Sequence, residues 1–387
     1  MINFKARAQL NTSSGIAAKV QRGFSLIEMM VAITLGLVLT TGILQLFLNT
    51  SRNNDELAKT SALIENGRFA IQLLQTDLTH GGFWDTHVPQ FDDLTWEEVP
   101  TDVPTAVPDP CLAYSESDWD ADHKHNLLGI AVQLHQNVPG TCAGIINNRK
   151  ADTDILVVRH AGATRCDPNV TGSCAANQLY FQASLCNDDT SPFKLVDDVS
   201  ELDLRVRTCT DFATARRFVS HIYYIRDYAI TEGDGIPTLM RSQFGHNAAS
   251  GELTHLPAEA LIEGIEDLKV ELGIDHLSAS GSSVNYDTAV NWPNPNNKVS
   301  PTNRGDGAPD GAFIRCATPC DEDQLTNVVA AKIYFLVRAT QGTTGYTNTK
   351  KHVLGSTELG PFNDNFKRHV YSTSVRLINV SGRRETP

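Results

Sequence analysis

From Met29 to Leu48 the chain runs for 20 residues without a charged side chain. As a helix rising 1.5 Å per residue, that stretch covers about 30 Å, the thickness of a bilayer hydrocarbon core. The pattern then changes from continuous to periodic. Leu57, Ile64, Ile71 and Leu78 recur every seven residues, and Ala70 and Leu74 widen the stripe. Arg52, Asp55, Glu56, Lys59, Glu65 and Arg68 take the polar positions. His80-Gly81-Gly82 ends the pattern, with Gly81 suited to a left-handed C-cap. One helix from Phe24 to Thr79 is predicted, about 84 Å long if unbroken. Gly36 and Gly42 lie in its apolar half, either as points of bending or local melting or as tolerated membrane glycines.

The remainder reads differently. Residues 85–126, rich in Pro, Asp and Trp, show little periodicity and predict a long surface loop. Strands are predicted at Leu127–Leu134, Asp154–His160, Gln178–Phe181 and Phe218–Ile225. Ile236–Met240 follows the turn-rich Thr231–Gly235 and suggests a hairpin. Asn327–Arg338 and Val370–Ile378 are two further strands, while Leu261–Gly273 fits helix or strand. Residues 275–326, dominated by Ser, Asn, Gly, Pro and Asp, read as one long insertion. The expected class is α+β: a long N-terminal helix packed on an antiparallel β-sheet with long loop insertions.

Charge sharpens this division. Residues 1–23 carry Lys5, Arg7, Lys19 and Arg22 and no acid, so removing them takes the formal charge from −13 to −17. A basic head before an apolar run orients the N-terminus inside, leaving an acidic remainder outside. No nucleic-acid partner is expected, because binding one requires a basic face. All eight cysteines follow the apolar run: Cys111, Cys142, Cys166, Cys174, Cys186, Cys209, Cys316 and Cys320. An even count in a translocated region points to disulfides. Zinc is disfavoured because no C-x-x-C occurs. Eight cysteines allow 105 pairings; neighbour pairing is the expectation.

An ordinary signal peptide requires a short apolar region and an A-x-A-like site, and neither is present. A plain signal anchor explains the run but not Glu28, a carboxylate at the start of a membrane helix. Cleavage after Gly23 would free the amine of Phe24 at the positive end of the helix. Glu28 of one subunit would then neutralise the amine of a neighbour and set the axial register.

The string Gly23-Phe24-Ser25-Leu26-Ile27-Glu28 with its apolar run resembles the class III signal of type IV prepilins. The resemblance implies cleavage between Gly23 and Phe24 by a prepilin peptidase, N-methylation of Phe24, and assembly by an inner-membrane platform. Further blocks resemble PilW-type minor pilins: Asn66–Ala70 through His80–Trp84, Asp154–Arg159, Leu261–Gly273, Val328–Arg338 and Tyr371–Asn379. The implied organisation is a leader at 1–23, a helix at 24–80 whose 24–48 portion spans the membrane, and a periplasmic head at 81–387. The implied function is that of a minor subunit helping to initiate pilus assembly at or near the tip, supporting twitching motility and adhesion. The implied partners are other minor pilins, the major pilin and a tip adhesin. A single-pass inner-membrane location before assembly and the cell-surface pilus afterwards follow. Two alternatives are a pseudopilin of a type II secretion system, and an enzyme or receptor that borrows the helix as an anchor.

Against the last stands the lack of G-x-S-x-G, a Walker A loop, H-E-x-x-H or a strand-linked GxGxxG. No catalytic residue and no cofactor are expected. His123 and His125 beside Asp118, Asp120 and Asp122 read as a solvated acidic loop before a metal site. Asp306 and Asp310 form a weak calcium candidate, lacking EF-hand spacing. The tripeptide Arg304-Gly305-Asp306 also matches an integrin-type motif, although an ordinary turn is favoured.

Overall fold

The computed structural model describes residues 23–316 and 319–386. The basic leader residues Lys5, Arg7, Lys19 and Arg22 lie outside the described residues. The chain divides into two compact units, Met1–Leu57 and Ala58–Pro387.

In the first unit one element dominates, the start of helix α1 (Leu26–His80). Every residue from Gly23 to Asp55 is exposed. Helix continues through Gly36 and Gly42. Thr34, Thr40 and Thr41 donate their hydroxyls to the carbonyls of Met30, Gly36 and Leu37, at 3.0, 2.8 and 2.8 Å. Their polar atoms are thereby satisfied within the helix, as a lipid environment requires.

In the second unit the rest of α1 buries Leu63, Gly67, Ala70, Leu74, Asp77 and Leu78. The seven-residue stripe anticipated from sequence is displaced: Leu57 is 65% exposed and Ile64 41% exposed. The contact is centred on small residues instead. A Cβ on Gly67 would lie 2.3 Å from the Tyr371 ring, so glycine there admits the sheet to close approach. The helix end is also shifted by one residue. Gly81 N–H still donates to the Asp77 carbonyl (3.1 Å), and the left-handed residue is Gly82, with φ of +74°.

Residues 85–126 are not a surface loop. Phe91 and Trp119 are buried, and Asp120 caps helix α2 (Ala121–Gly129) by accepting from His123 N–H at 2.8 Å. The expected strand Leu127–Leu134 is therefore split between α2 and β1 (Val132–His135). Then follow β2 (Ile155–Cys166), β3 (Tyr180–Ala183), β4 (Phe193–Val196), β5 (Ala215–Arg226), β6 (Thr238–His246), β7 (Leu253–His255) and β8 (Glu259–Glu263). These eight strands form one antiparallel sheet. One edge of β5 pairs with β2; the other takes β3 near its start and β6 near its end. The predicted hairpin joins β5 to β6, and Asp234 closes its turn by accepting the amides of Ile230 and Ile236, both at 2.9 Å.

A second sheet follows, in the order β13-β10-β9: β9 (Ile265–Ile274), then helix α3 (Glu322–Thr326), β10 (Val328–Arg338), the ribbon β11 (His352–Leu354) and β12 (Thr357–Leu359), and β13 (Arg368–Arg376). Helix α4 (Ile378–Arg384) closes the described chain. The single sheet expected is thus divided, and the division falls within the ambiguous Leu261–Gly273. Gly264 separates β8 from β9 at φ +80°, donates to Pro237 O and accepts from Arg338 N, both at 2.7 Å. A Cβ there would meet Arg338 O at 2.6 Å.

Residues Leu63, Ala70, Leu74 and Leu78 of α1 join Val158, Tyr223, Val270, Ile333 and Phe335 in one core. A second, aromatic cluster collects Trp84, Trp119, Phe181, Phe218 and Phe244. On β9, Leu268, Val270 and Leu272 enter the core while Asp267, Lys269 and Glu271 alternate away from it. These charges, also buried, meet partners on the other face: Lys269 pairs with Asp267 at 2.9 Å, and Glu271 accepts from Ser356 N–H at 2.7 Å.

The insertion 275–326 is likewise built in. Buried Arg384 of α4 contacts Asp92 (2.8 Å), Asp275 (3.2 Å) and Asn327 (2.9 Å), tying both long segments to the C-terminal helix. Tyr286 donates to the same Asn327 side chain at 2.7 Å and meets Phe91 edge-on.

Candidate functional site

Gly23 and Phe24 precede α1 in non-helical backbone, and Phe24 is 86% exposed. Ser25 and Glu28 close the helix start reciprocally. Ser25 N–H donates to Glu28 Oε2 at 2.9 Å, and Glu28 N–H donates to Ser25 Oγ at 3.3 Å. This is a capping box, which satisfies two of the four donors left over at a helix start. The S-x-x-E spacing was open to sequence reading; Glu28 drew attention for its charge instead. From this cap onward Leu26, Ile27, Met29, Met30, Val31, Ile33, Leu35 and the apolar residues beyond them stand exposed to Leu48. Twenty residues of uncovered apolar helix are unsuited to water and suited to lipid or to other helices.

The cysteines pair in chain order: Cys111–Cys142, Cys166–Cys174, Cys186–Cys209 and Cys316–Cys320. No described cysteine is free. Such crosslinks belong to an oxidising compartment.

Two groups among the described residues bring three potential metal ligands together. In Cys186, Asp188 and Cys209 both thiols are consumed by a disulfide. The other joins Asp77 of α1, His160 of β2 and His221 of β5. His160 Nε2 lies 3.2 Å from Asp77 Oδ1, and His221 Nδ1 lies 3.0 Å from Asp77 Oδ2. Burial pushes the Asp77 carboxyl up, but the hydrogen bonds and charges of the two histidines outweigh it and hold it well below the usual carboxylate range. The three residues are widely separated in sequence, so no local spacing signalled them.

Other residues singled out from sequence have structural duties. Asp310 Oδ2 accepts the amides of His276 and Leu277 at 2.8 and 2.7 Å, and Asp306 Oδ1 accepts from Ala308 N–H at 2.9 Å. Both carboxylates thus close turns. Arg304 is buried and donates to the carbonyls of Asn303 and Thr288 at 3.0 and 2.8 Å, so Arg304-Gly305-Asp306 is not displayed as a recognition tripeptide. His123 packs at a tilt against the Trp119 ring, and Asp118 accepts from Ser115 Oγ at 2.7 Å.

A capped, apolar N-terminal helix behind a Gly-Phe junction, continuing onto antiparallel sheets, defines a type IV pilin-like protein. Residues 18–44 match the prokaryotic N-terminal methylation motif. Residues 222–379, from within β5 to the start of α4, match the family of type IV pilus-assembly protein W, PilW. Together with the fold, these two matches support a pilin-like protein of the PilW type. No curated protein and no solved structure matches it.

Proposed function

We propose that this chain is a minor subunit that helps initiate type IV pilus assembly at or near the filament tip, with a structural rather than catalytic role. The observation that carries the reading is the bare apolar surface of α1 from Phe24 to Leu48, for which the described chain provides no cover. After a peptidase cuts between Gly23 and Phe24 and Phe24 is N-methylated, that surface would anchor the subunit in the inner membrane with its head in the periplasm. The same surface then stacks against the major pilin and other minor pilins on an assembly platform. Glu28 would pair with a neighbour's N-terminal amine and set the register.

The bulk of the head favours a terminal position. Residues 85–126 and 275–326 are fixed to α4 through Arg384, so they do not fold out of the way of neighbours on a crowded shaft. A filament end leaves one face uncrowded, where a tip adhesin can also be held. Deleting the gene is expected to reduce surface pili, twitching motility and adhesion while major prepilin persists in the membrane. Mass spectrometry of sheared pili is expected to find the protein at a small fraction of the major pilin. Stoichiometric abundance overturns the minor-subunit reading. Intact piliation with lost protein secretion assigns the chain instead to a type II secretion pseudopilin.

A further inference from the structure

We propose that Asp77, His160 and His221 form a binding site for a first-row divalent cation, zinc in the first instance, which bolts α1 to β2 and β5. The proposal is independent of the pilus reading, since it rests on side chains that all lie within the second unit, Ala58–Pro387. His160 and His221 lie on adjacent antiparallel strands, where His160 is paired with Val219 and His221 with Val158. Residues two apart on a strand share a face, so both imidazoles point the same way, toward the end of α1. Asp77 meets them from the helix, in the buried set that includes Leu74 and Leu78.

The spacing suits a metal. Two ligand atoms each 2.0–2.1 Å from zinc, at a tetrahedral angle, are about 3.3 Å apart. Asp77 Oδ1 lies 3.2 Å from His160 Nε2 and 3.1 Å from His221 Nδ1, and one ligand atom from each residue lies within 4.8 Å of the others. Two imidazoles and a carboxylate are a ligand set that first-row divalent metals accept.

The hydrogen bonding of His160 is the second, independent observation. Its Nδ1 lies 2.9 Å from the carbonyl of Ala161, which can only accept, so Nδ1 carries a proton. In neutral imidazole Nε2 then holds a lone pair. That lone pair faces the Asp77 carboxylate at 3.2 Å inside the protein. Two acceptors in contact require a cation between them, either a second proton on the ring or a metal. An Nδ1–H bound to a backbone carbonyl is the arrangement that orients metal-ligating histidines. A cavity of about 490 Å³ opens beside the triad, lined also by His80, Tyr223 and Arg241. It leaves room for water as the remaining ligand.

The test uses the full mature chain, untagged and in detergent, stripped with EDTA and titrated with cobalt(II). The expected result is one cobalt per chain, with the visible spectrum of nitrogen and oxygen ligation and no thiolate band. Zinc should displace it and raise the unfolding midpoint of the head. His160→Ala and His221→Ala should each weaken binding by more than the ~10–100-fold that loss of an outer-shell partner costs. Because losing a buried imidazole can unfold the head, the wild type is decisive on its own. A folded, EDTA-stripped wild type that takes up no cobalt or zinc overturns the proposal and leaves a proton-bridged triad. Stoichiometric binding that survives in both folded histidine variants overturns it equally, by placing the metal elsewhere.

Discussion

The first part of α1, Leu26 to Asp55, is exposed along its whole length, whereas the part from Leu63 to Leu78 buries a defined stripe. Both parts are α-helix, and both contain abundant leucine and isoleucine. They differ in periodicity. The first is apolar on every side from Met29 to Leu48, so no face is preferred, and its exposed surface suits lipid or other helices. The second alternates polar and apolar positions, so one face is committed to its own chain. The lesson concerns independence. Side chains in the first part can be tuned for assembly with little consequence for the head, while those in the second cannot.

The largest expected effect breaks the first part alone. Gly23→Leu should abolish processing completely, while the head still folds with its disulfides. Intact-mass measurement of membrane protein should then show the leader retained; a mature chain beginning at Phe24 in this variant would refute the assigned junction. Next comes a matched pair across the two parts. Leu74→Ala removes a fully buried side chain and should destabilise the head by about 2–5 kcal/mol. Leu44→Ala should leave head unfolding within about 0.5 kcal/mol while reducing recovery in sheared pili. Denaturant unfolding followed by head tryptophans reads both, and equal losses would dissolve the distinction.

A smaller effect is a dependence on acidity confined to the head. His255 of β7 is held neutral, its pKa pushed down to about 3 by burial and then by the charges of Arg159 and His221. Its ring lies between Ser220 and Ser242, 3.1 Å from each hydroxyl. Unfolding restores an ordinary pKa of about 6.5, so between these values the unfolded chain binds the extra proton. The contribution of this histidine to stability is therefore expected to fall as pH falls from about 6.5 toward 3, by up to about 1.4 kcal/mol per pH unit. His255→Gln should flatten that slope in pH-dependent melting curves. An unchanged slope would show that His255 does not set it.

The smallest effect separates two duties of Glu28. Glu28→Ala removes the charge and the carboxylate half of the capping box, leaving Ser25 Oγ on the residue-28 amide, at about 0.3–1.5 kcal/mol of local helix stability. Glu28→Gln retains the capping box, because glutamine serves at that position, but removes the charge. If the charge sets register, both variants should be poorly incorporated into pili. Normal incorporation of the Gln variant would assign Glu28 to capping alone.

Much of this molecule was legible in local pattern. The apolar run, the strands around Asp154–His160, Phe218–Ile225, Asn327–Arg338 and Val370–Ile378, and the hairpin turn were readable because each depends on neighbours in sequence. The Gly-Phe junction and Glu28 stood out by their chemistry against an apolar background. The loop reading of 85–126 failed for the complementary reason. Trp119 and Phe91 lack periodicity, and their burial depends on residues far away in the chain, such as Phe244 and Tyr286.

By itself, the sequence determined that a charge-free stretch long enough to cross a membrane lies near the start of the chain, and that an α+β, cysteine-bearing remainder follows. Those properties are set by composition and by spacings of a few residues, which act before any long-range contact forms. Tertiary structure alone decided which flank of α1 is buried, since that depends on where Tyr371 approaches Gly67. It also decided that the strands divide into two sheets at Gly264, and that Arg384 gathers Asp92 and Asp275. The meeting of Asp77, His160 and His221 belongs to the same class. Each of these joins residues whose separation along the chain exceeds any local period, and only the register of β2 on β5 and the docking of the helix bring them within reach.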